Sequence, residues 1–319
     1  MTKKFNNSKK KITLMAWKGS AESQEEVRFK SYIGVAPLHY VTVNPSMKEL
    51  QAMYPKANID KEPDYLTEVA VDRNDPASEK IKQARVEFVM KSDPKCGYEF
   101  NTRITFFINK SFRTSQKGTM QVINVYGETT WLTPENIKAG VVPEDLNWFD
   151  KTGMRPCYVG EEDLTNFLRT FLCIPSRSYM NKKTGERVVI KDPSMAEGRL
   201  EYPEKLFAGD MSEVKQIMTF QPNNLIKAML GVRTTDDNKQ YQAVYTKKFL
   251  KNGATDYTSL AKNLESSRNA GMYSNVEFLA EPVREFSNTP TDFPADSQEK
   301  QPENNASKWS KAFNKEATK

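Results

Sequence analysis

The chain has 319 residues, of which 38% are hydrophobic and 28% charged, a composition that fits one large or two modest domains with an apolar core. No apolar run approaches the roughly 18–20 residues that a membrane span needs, and the first residues lack the apolar segment of a secretory signal, so we expect a protein that works in a cytosol. The net charge is +6, but five lysines within residues 1–11 supply most of it, so any case for a nucleic-acid partner depends on where the remaining charges lie.

The amino-terminal part of the chain predicts a basic arm followed by two strands. Residues 1–11 carry the five lysines and no apolar periodicity, and we expect them to be disordered. Strands are predicted at 12–18 and 26–44, and alternation in the second separates two faces. One face holds Val27, Phe29, Ile33 and Val35, which we expect in the core. The other face holds Arg28, Lys30, Tyr32 and Gly34.

A short helix and a hairpin are predicted next. Ser46 and Glu49 form a capping box, in which each side chain bonds a free helix N–H group, so a helix should run to about Tyr54. Strands are predicted at 82–92 and 98–110, joined by turn residues 93–97. The second strand has a core face of Phe100, Thr102, Ile104, Phe106 and Ile108. Its other face is polar except for Phe107.

The carboxyl-terminal half mixes helices with further strands. Residues 160–175 have one apolar face at helical spacing, and acidic residues occupy their first turn, where the helix dipole favours them. Helices are also predicted at 211–220 and 256–267, and strands at 239–250 and 275–286. Many short strands with inserted helices predict an α+β fold, a mainly antiparallel barrel spanning residues 12–286, followed by a polar, disordered tail at 287–319.

Catalytic motifs are not apparent in the sequence. The three cysteines form no CxxC pair, and His39 is the single histidine, so thiolate zinc sites and histidine-based catalytic triads are not indicated. The glycine-rich patterns of phosphate loops do not occur. Glu68, Asp72 and Asp75 could hold Mg²⁺, but a solvated polar loop is the simpler interpretation of that segment. We therefore expect no enzyme activity, cofactor or metal.

Aromatic and basic residues interleave on the predicted polar strand faces and in the loop that follows. Single-stranded nucleic acid binding needs this combination, because cations neutralise the backbone while flat rings stack on bases at roughly 1–3 kcal/mol each. The candidate binding residues are Trp17, Lys18, Arg28, Lys30, Tyr32, Arg103, Phe107, Lys110, Phe112, Arg113 and Lys117. An equally weighted structural interpretation places Phe107 and Tyr32 beneath a helix or loop, as part of a second core.

Four segments together resemble the single-stranded DNA-binding proteins of tailed bacteriophages of the crAss-like gut phage type. They are KSYIGVAPLHYVTVNPSMKELQAMY (30–54), NVYGETTWLT (124–133), RPCYVGEEDLTNFLRTFLCIP (155–175) and LFAGDMSEVKQI (206–217). The resemblance covers roughly residues 10 to 286. It implies an OB-fold, sequence-tolerant binding of single-stranded DNA in replication or recombination, no catalysis, no membrane association, and a location in the cytoplasm of the infected bacterial host.

The tail departs from the acidic tails with which many single-strand binders recruit partners, because residues 287–319 carry five acidic residues and five lysines. Trp309 and Phe313 are four residues apart and would share one face of a helix, so they are candidates for docking phage replication proteins. A random Trp and Phe in a linker is the plain alternative. Two other functions stay open, namely a virion structural or cargo protein and an enzyme with a carboxylate-bound metal.

Overall fold

The computed structural model describes residues 30–55, 59–71, 75, 77–97, 99–115, 118–132, 154–174, 178–180, 187–189, 198–221, 223–236 and 240–287. All of these residues belong to one unit that ends at Ser287. The basic arm and the strand predicted at 12–18 lie outside the described residues, as does all of the tail after Ser287.

Fifteen strands and four α-helices are found in the described residues. The strands are β1 Lys30–Val43, β2 Leu66–Ala70, β3 Lys80–Ser92, β4 Asn101–Phe112, β5 Gln121–Ile123, β6 Thr129–Trp131, β7 Arg155–Pro156, β8 Tyr158–Val159, β9 Ser178–Met180, β10 Arg187–Val189, β11 Leu225–Thr234, β12 Gln240–Val244, β13 Leu250–Lys251, β14 Val276–Phe278 and β15 Arg284–Ser287. The helices are α1 Met47–Met53, α2 Glu161–Phe171, α3 Ser212–Phe220 and α4 Thr258–Asn269.

Ten of the described strands form one antiparallel sheet that curls into a half-barrel. Its strand order is β12-β11-β1-β3-β4-β8, with β2 beside β3, β13 and β14 beside β11, and β15 beside β1. Strands β6-β5-β7 and β10-β9 form two small separate sheets. The predicted α+β class with a mainly antiparallel sheet is therefore confirmed.

The main core lies between the inner face of the sheet and α2. The predicted core face of β4 is confirmed, since Thr102, Ile104, Phe106 and Ile108 are all buried. The even-numbered residues of β3 share this face, and Phe88 packs against Phe167 of α2 with ring centroids 4.6 Å apart. The apolar stripe predicted for the helix at 160–175 thus faces the sheet. The capping box of α1 is also confirmed.

Strand β1 is buried on both faces, which corrects the predicted position of Tyr32. Its ring is 5% exposed and stacks on Phe100 with centroids 4.1 Å apart, within the main core. The other face of β1 contributes Val35 to a second core, which α4 covers through Leu260 and Leu264. Alternation assigns side chains to two faces but does not say which face a helix will cover, so the solvent position expected for Tyr32 was wrong.

At Tyr32, a side chain rather than a neighbouring strand satisfies the backbone hydrogen bonds on one edge of β1. The amide of Gln242, on β12, accepts a hydrogen bond from the Tyr32 N–H at 2.8 Å and donates one to the Tyr32 carbonyl at 2.8 Å. The same amide donates to the Gly231 carbonyl at 2.9 Å. Backbone pairing between β1 and β11 begins only at Gly34, so Gln242 completes the ladder where β11 has diverged from β1.

Candidate nucleic-acid interface

The outer face of β3 and β4 carries an exposed aromatic ring among polar and charged side chains. Phe107 is 54% exposed and lies directly opposite Arg85 in the antiparallel register. Glu87 pairs across the strands with Thr105, and Val89 pairs with Arg103. Side chains alternate along each strand, so these residues share the face turned away from the main core. The exposed position predicted for Phe107 is therefore confirmed.

Glu87 joins the two arginines of this face into one charged group. Its carboxylate lies 3.0 Å from Nη1 of Arg103 and 3.8 Å from Nε of Arg85. The Glu87 side chain is 8% exposed, whereas the two arginine side chains are about a third exposed, at 31% and 32%. The group has a net charge of +1, with the cations outward and the anion inward.

Tyr65 supports Arg85 from the strand side opposite β4. The guanidinium carbon of Arg85 lies 5.0 Å from the centre of the Tyr65 ring, within the range of a cation–π contact. The Tyr65 hydroxyl donates a 2.8 Å hydrogen bond to the carbonyl of Pro45. Burial, and next the Glu87 carboxylate, raise the pKa of Tyr65, so its ring remains neutral at physiological pH. Arg85 is thereby held between an aromatic ring and a carboxylate.

An amide pair borders Phe107 on its other side. Nε2 of Gln83 donates a 2.7 Å hydrogen bond to Oδ1 of Asn109, and these two residues are the next cross-strand pair on the same face after Arg85 and Phe107. Phe107 is thus flanked by hydrogen-bonding groups on β3 and β4. A ring in this position can stack on a base while its neighbours contact backbone or base atoms.

A second aromatic and basic group gathers at the end of β4. Phe112 is 45% exposed and its ring lies 5.2 Å from that of Tyr158, which packs against the main core. Arg113 forms a 2.5 Å ion pair with Glu162 of α2 and lies 5.8 Å from the ring centre of Trp131. Trp131 is itself 39% exposed. Phe112 therefore has a structural contact as well as an accessible edge.

The predicted binding residues do not form one cluster. Arg103 and Phe107 share the outer face of β3 and β4, while Phe112 and Arg113 lie at the end of β4 and Lys110 is exposed between them. Tyr32 is in the core, and Lys30 is placed only by its backbone pairing with Ser287. The remaining candidates lie outside the described residues, namely Trp17, Lys18, Arg28, Lys117, Trp309 and Phe313.

Sequence reasoning missed Arg85, Glu87 and Tyr65 on this face. The signal for the first two was present, because Arg85 and Glu87 alternate with the buried Ala84, Val86 and Phe88 along β3. The alternation that places Phe107 on the polar face of β4 would, applied to β3, place Arg85 and Glu87 on the same outer face. Tyr65 carries no such signal, because it precedes β2 and reaches Arg85 only through tertiary packing.

Three titratable residues away from this face, His39, Asp93 and Cys157, have structural contacts. Nε2 of His39 lies 2.9 Å from Oδ2 of Asp93, and Oδ1 of Asp93 accepts a hydrogen bond from the Lys95 N–H. That N–H group, and next His39, hold the pKa of Asp93 below its usual value. Burial raises the pKa of the Cys157 thiol to about 12, so this thiol remains protonated and unreactive. His39 lies on β1 and contacts Asp93 at the start of the turn between β3 and β4, so its role here is structural.

An open cleft of about 550 Å³ lies between β2 and the start of α3. Its two aspartates are engaged in local turns, Asp64 accepting from the Leu66 N–H and Asp210 from the Ser212 N–H. Within the described part of the chain, no three His, Cys, Asp or Glu side chains are placed to hold a metal ion. Of the possible Mg²⁺ ligands, Asp72 lies outside that part.

Comparison of the chain with protein-family models, with curated proteins and with solved structures finds no match. In the part of the chain that the structure describes, none of the helices has the length and apolar character to cross a membrane.

Proposed function

We propose that this protein binds single-stranded DNA with little sequence preference, through the outer face of β3 and β4. The observation that carries the proposal is the exposed ring of Phe107 directly opposite Arg85, with Arg103 on the same face. Soluble proteins more often bury a large ring at the centre of a sheet than expose it beside guanidinium groups. Stacking on such a ring contributes roughly 1–3 kcal/mol per base and does not distinguish the bases strongly.

The charge on this face favours modest rather than strong attraction to phosphates. The Arg85–Glu87–Arg103 group carries only one net positive charge, so stacking has to supply much of the affinity there. The lysines of residues 1–11 would add a separate, salt-sensitive contribution. We further propose that the curled half-barrel is an OB-fold. OB-folds are known to bind single strands, which agrees with stacking on the sheet face and phosphate contacts by the lysines. Replication or recombination of phage DNA is the proposed setting, by resemblance.

The direct experiment measures fluorescence anisotropy of a labelled oligo-dT with the full chain and with Phe107→Ala. We expect the variant to bind roughly 5- to 150-fold more weakly, the equivalent of about 1–3 kcal/mol. Phe220→Ala is a matched control, because Phe220 is also an exposed phenylalanine but lies at the end of α3. Equal binding by the full chain and Phe107→Ala would contradict the proposed face. No binding at low salt, with self-assembly instead, would favour the virion protein.

A further inference from the structure

Glu87 is the one acidic side chain of the described residues that contacts both arginines of the proposed binding face. It is held there by its backbone as well as by its carboxylate. Its N–H donates a 2.7 Å hydrogen bond to Oδ1 of Asn44, and its carbonyl accepts from the Asn44 N–H at 2.8 Å. The Asn44 amide also donates to the carbonyl of Arg85 at 2.9 Å. Asn44 therefore fixes the backbone of β3 where Arg85 and Glu87 emerge.

We infer that Glu87 is a positioning residue for the binding of single-stranded DNA. Glu87 holds Arg85 beside Phe107, and it holds Arg103 farther along β4. Both guanidinium groups can then contact the phosphates of a strand whose base stacks on Phe107. The inference rests on the proposed function. Arg103 and Phe107 are four residues apart on one strand, or roughly 13 Å. Glu87 lies between them in the neighbouring strand, opposite Thr105, and so reaches both arginines.

The net charge of the face and the contacts of Glu87 predict opposite effects on DNA affinity when its carboxylate is removed. Taking a negative charge away from a nucleic-acid interface strengthens binding if only net charge matters. The Glu87 carboxylate accepts a hydrogen bond from Arg103 and attracts Arg85 as an ion pair at 3.8 Å, without a hydrogen bond. A glutamine amide is uncharged and directs N–H donors at one of the two guanidinium groups. Glu87→Gln would therefore release one arginine from its position and weaken binding, although the face gains positive charge.

The test compares Glu87→Gln with Glu99→Gln in anisotropy titrations of oligo-dT over a range of salt concentrations. Glu99 is the matched control, because its side chain is 79% exposed at the turn end of the same hairpin and pairs with Lys91. We expect Glu99→Gln to bind as tightly as the unaltered chain or more tightly. Glu87→Gln should bind about 5- to 10-fold more weakly. Its plot of log binding constant against log salt concentration should be shallower by ~0.7 for each phosphate that an arginine no longer neutralises.

Two further variants separate positioning from a general effect on folding. In an Arg85→Ala, Arg103→Ala background, Glu87→Gln should cause no additional loss of binding, whereas damage to the fold would add to the loss in any background. Glu87→Asp keeps the charge but shortens the side chain, so it should also weaken binding, and it replaces Glu87→Gln if that variant does not fold. Tighter binding by Glu87→Gln, or equal binding by the two glutamine variants, would overturn the inference alone. An unaltered chain that does not bind oligo-dT would overturn the proposed function as well.

Discussion

Gly160 lies against the backbone carbonyl of Phe107, at the turn that leads from β8 into α2. A Cβ atom added to Gly160 would overlap that carbonyl oxygen, and the residue has a φ of +90°. The absence of a side chain at Gly160 thus lets the start of α2 press directly on the strand that carries the exposed ring. Phe107 is held from behind by its backbone, while its side chain remains accessible on the outer face.

Gly160→Ala should lower the free energy of unfolding by about 2–4 kcal/mol, because a left-handed φ and an overlap with backbone are combined at one position. Urea denaturation of the purified chain measures this loss. Gly253→Ala is the matched control, since Gly253 has a φ of +84° with no atom within 4 Å of an added Cβ. The control should lose only about 1–2 kcal/mol. Equal losses in the two variants would mean that the turn yields without disturbing β4.

Tyr245→Phe should destabilise the second core by about 1–3 kcal/mol, because it removes a hydrogen-bond partner of the buried Ser267 and of the half-buried Asn263. The Tyr245 hydroxyl lies 2.7 Å from Oγ of Ser267 and 2.6 Å from Oδ1 of Asn263, both on α4. Removal of the hydroxyl therefore loosens the helix from the sheet. Tyr241→Phe removes a hydroxyl from an exposed tyrosine on β12 and should leave the denaturation midpoint unchanged. A midpoint for Tyr245→Phe like that of the control would contradict the role of the hydroxyl.

Asp93 should make the protein less stable in acid. Its folded-state pKa is lowered, first by the Lys95 N–H and then by His39, so the ionised form stabilises the folded state. That stabilisation is fully present above the unfolded-state pKa of about 3.9 and disappears as the pH falls through the lower folded-state value. Asp93→Asn should therefore be less stable than the unaltered chain at pH 7, and the difference should shrink below about pH 4. A difference that stays constant from pH 7 to pH 3 would contradict this account.

Deletion of residues 2–11 should weaken binding to oligo-dT and make it less sensitive to salt. The deletion removes five lysines, and each phosphate that a lysine no longer neutralises retains its counterions. Thermal stability should not change, because this segment has no apolar periodicity. Titration at several salt concentrations gives the slope for each form, and identical slopes would show that these lysines do not contact the phosphates.

Deletion of residues 305–319 should leave oligo-dT binding within about threefold, well below the 1.4 kcal/mol of a tenfold change. The deletion removes Trp309 and Phe313, which we propose dock a replication protein. A pull-down from infected cells should therefore lose at least one partner. Recovery of the same partners by both forms would exclude docking through this pair, and loss of DNA binding would place the segment in the binding site instead.

The most informative sequence signal was the alternation of apolar and polar residues along a single strand. It predicted both the buried face of β4 and the exposure of Phe107, because β4 has the main core on only one side. The same reasoning failed for Tyr32, because its face of β1 belongs to the main core, while α4 buries the opposite face, which carries Val35. It also missed β11, whose Leu225–Val232 segment is apolar on both faces apart from Lys227 and so shows little alternation.

Charge pairing could not be inferred from sequence. Arg103 was selected as a cation on a polar face, but whether it is available to a phosphate depends on Glu87, sixteen residues earlier in the chain. Arg113 similarly forms an ion pair with Glu162 on α2, which offsets its positive charge. These partners come together only when the hairpin and the helix are folded, so a list of basic residues overestimates the positive field of the face.

The Gln242 side chain has a consequence for behaviour at high concentration. An unpaired stretch of strand invites a strand from another molecule, which is how edge-to-edge aggregation and strand exchange begin. By satisfying both the N–H and the carbonyl of Tyr32, the amide of Gln242 denies an incoming strand this pair of hydrogen bonds. The half-barrel thus protects this segment of β1 with a single side chain.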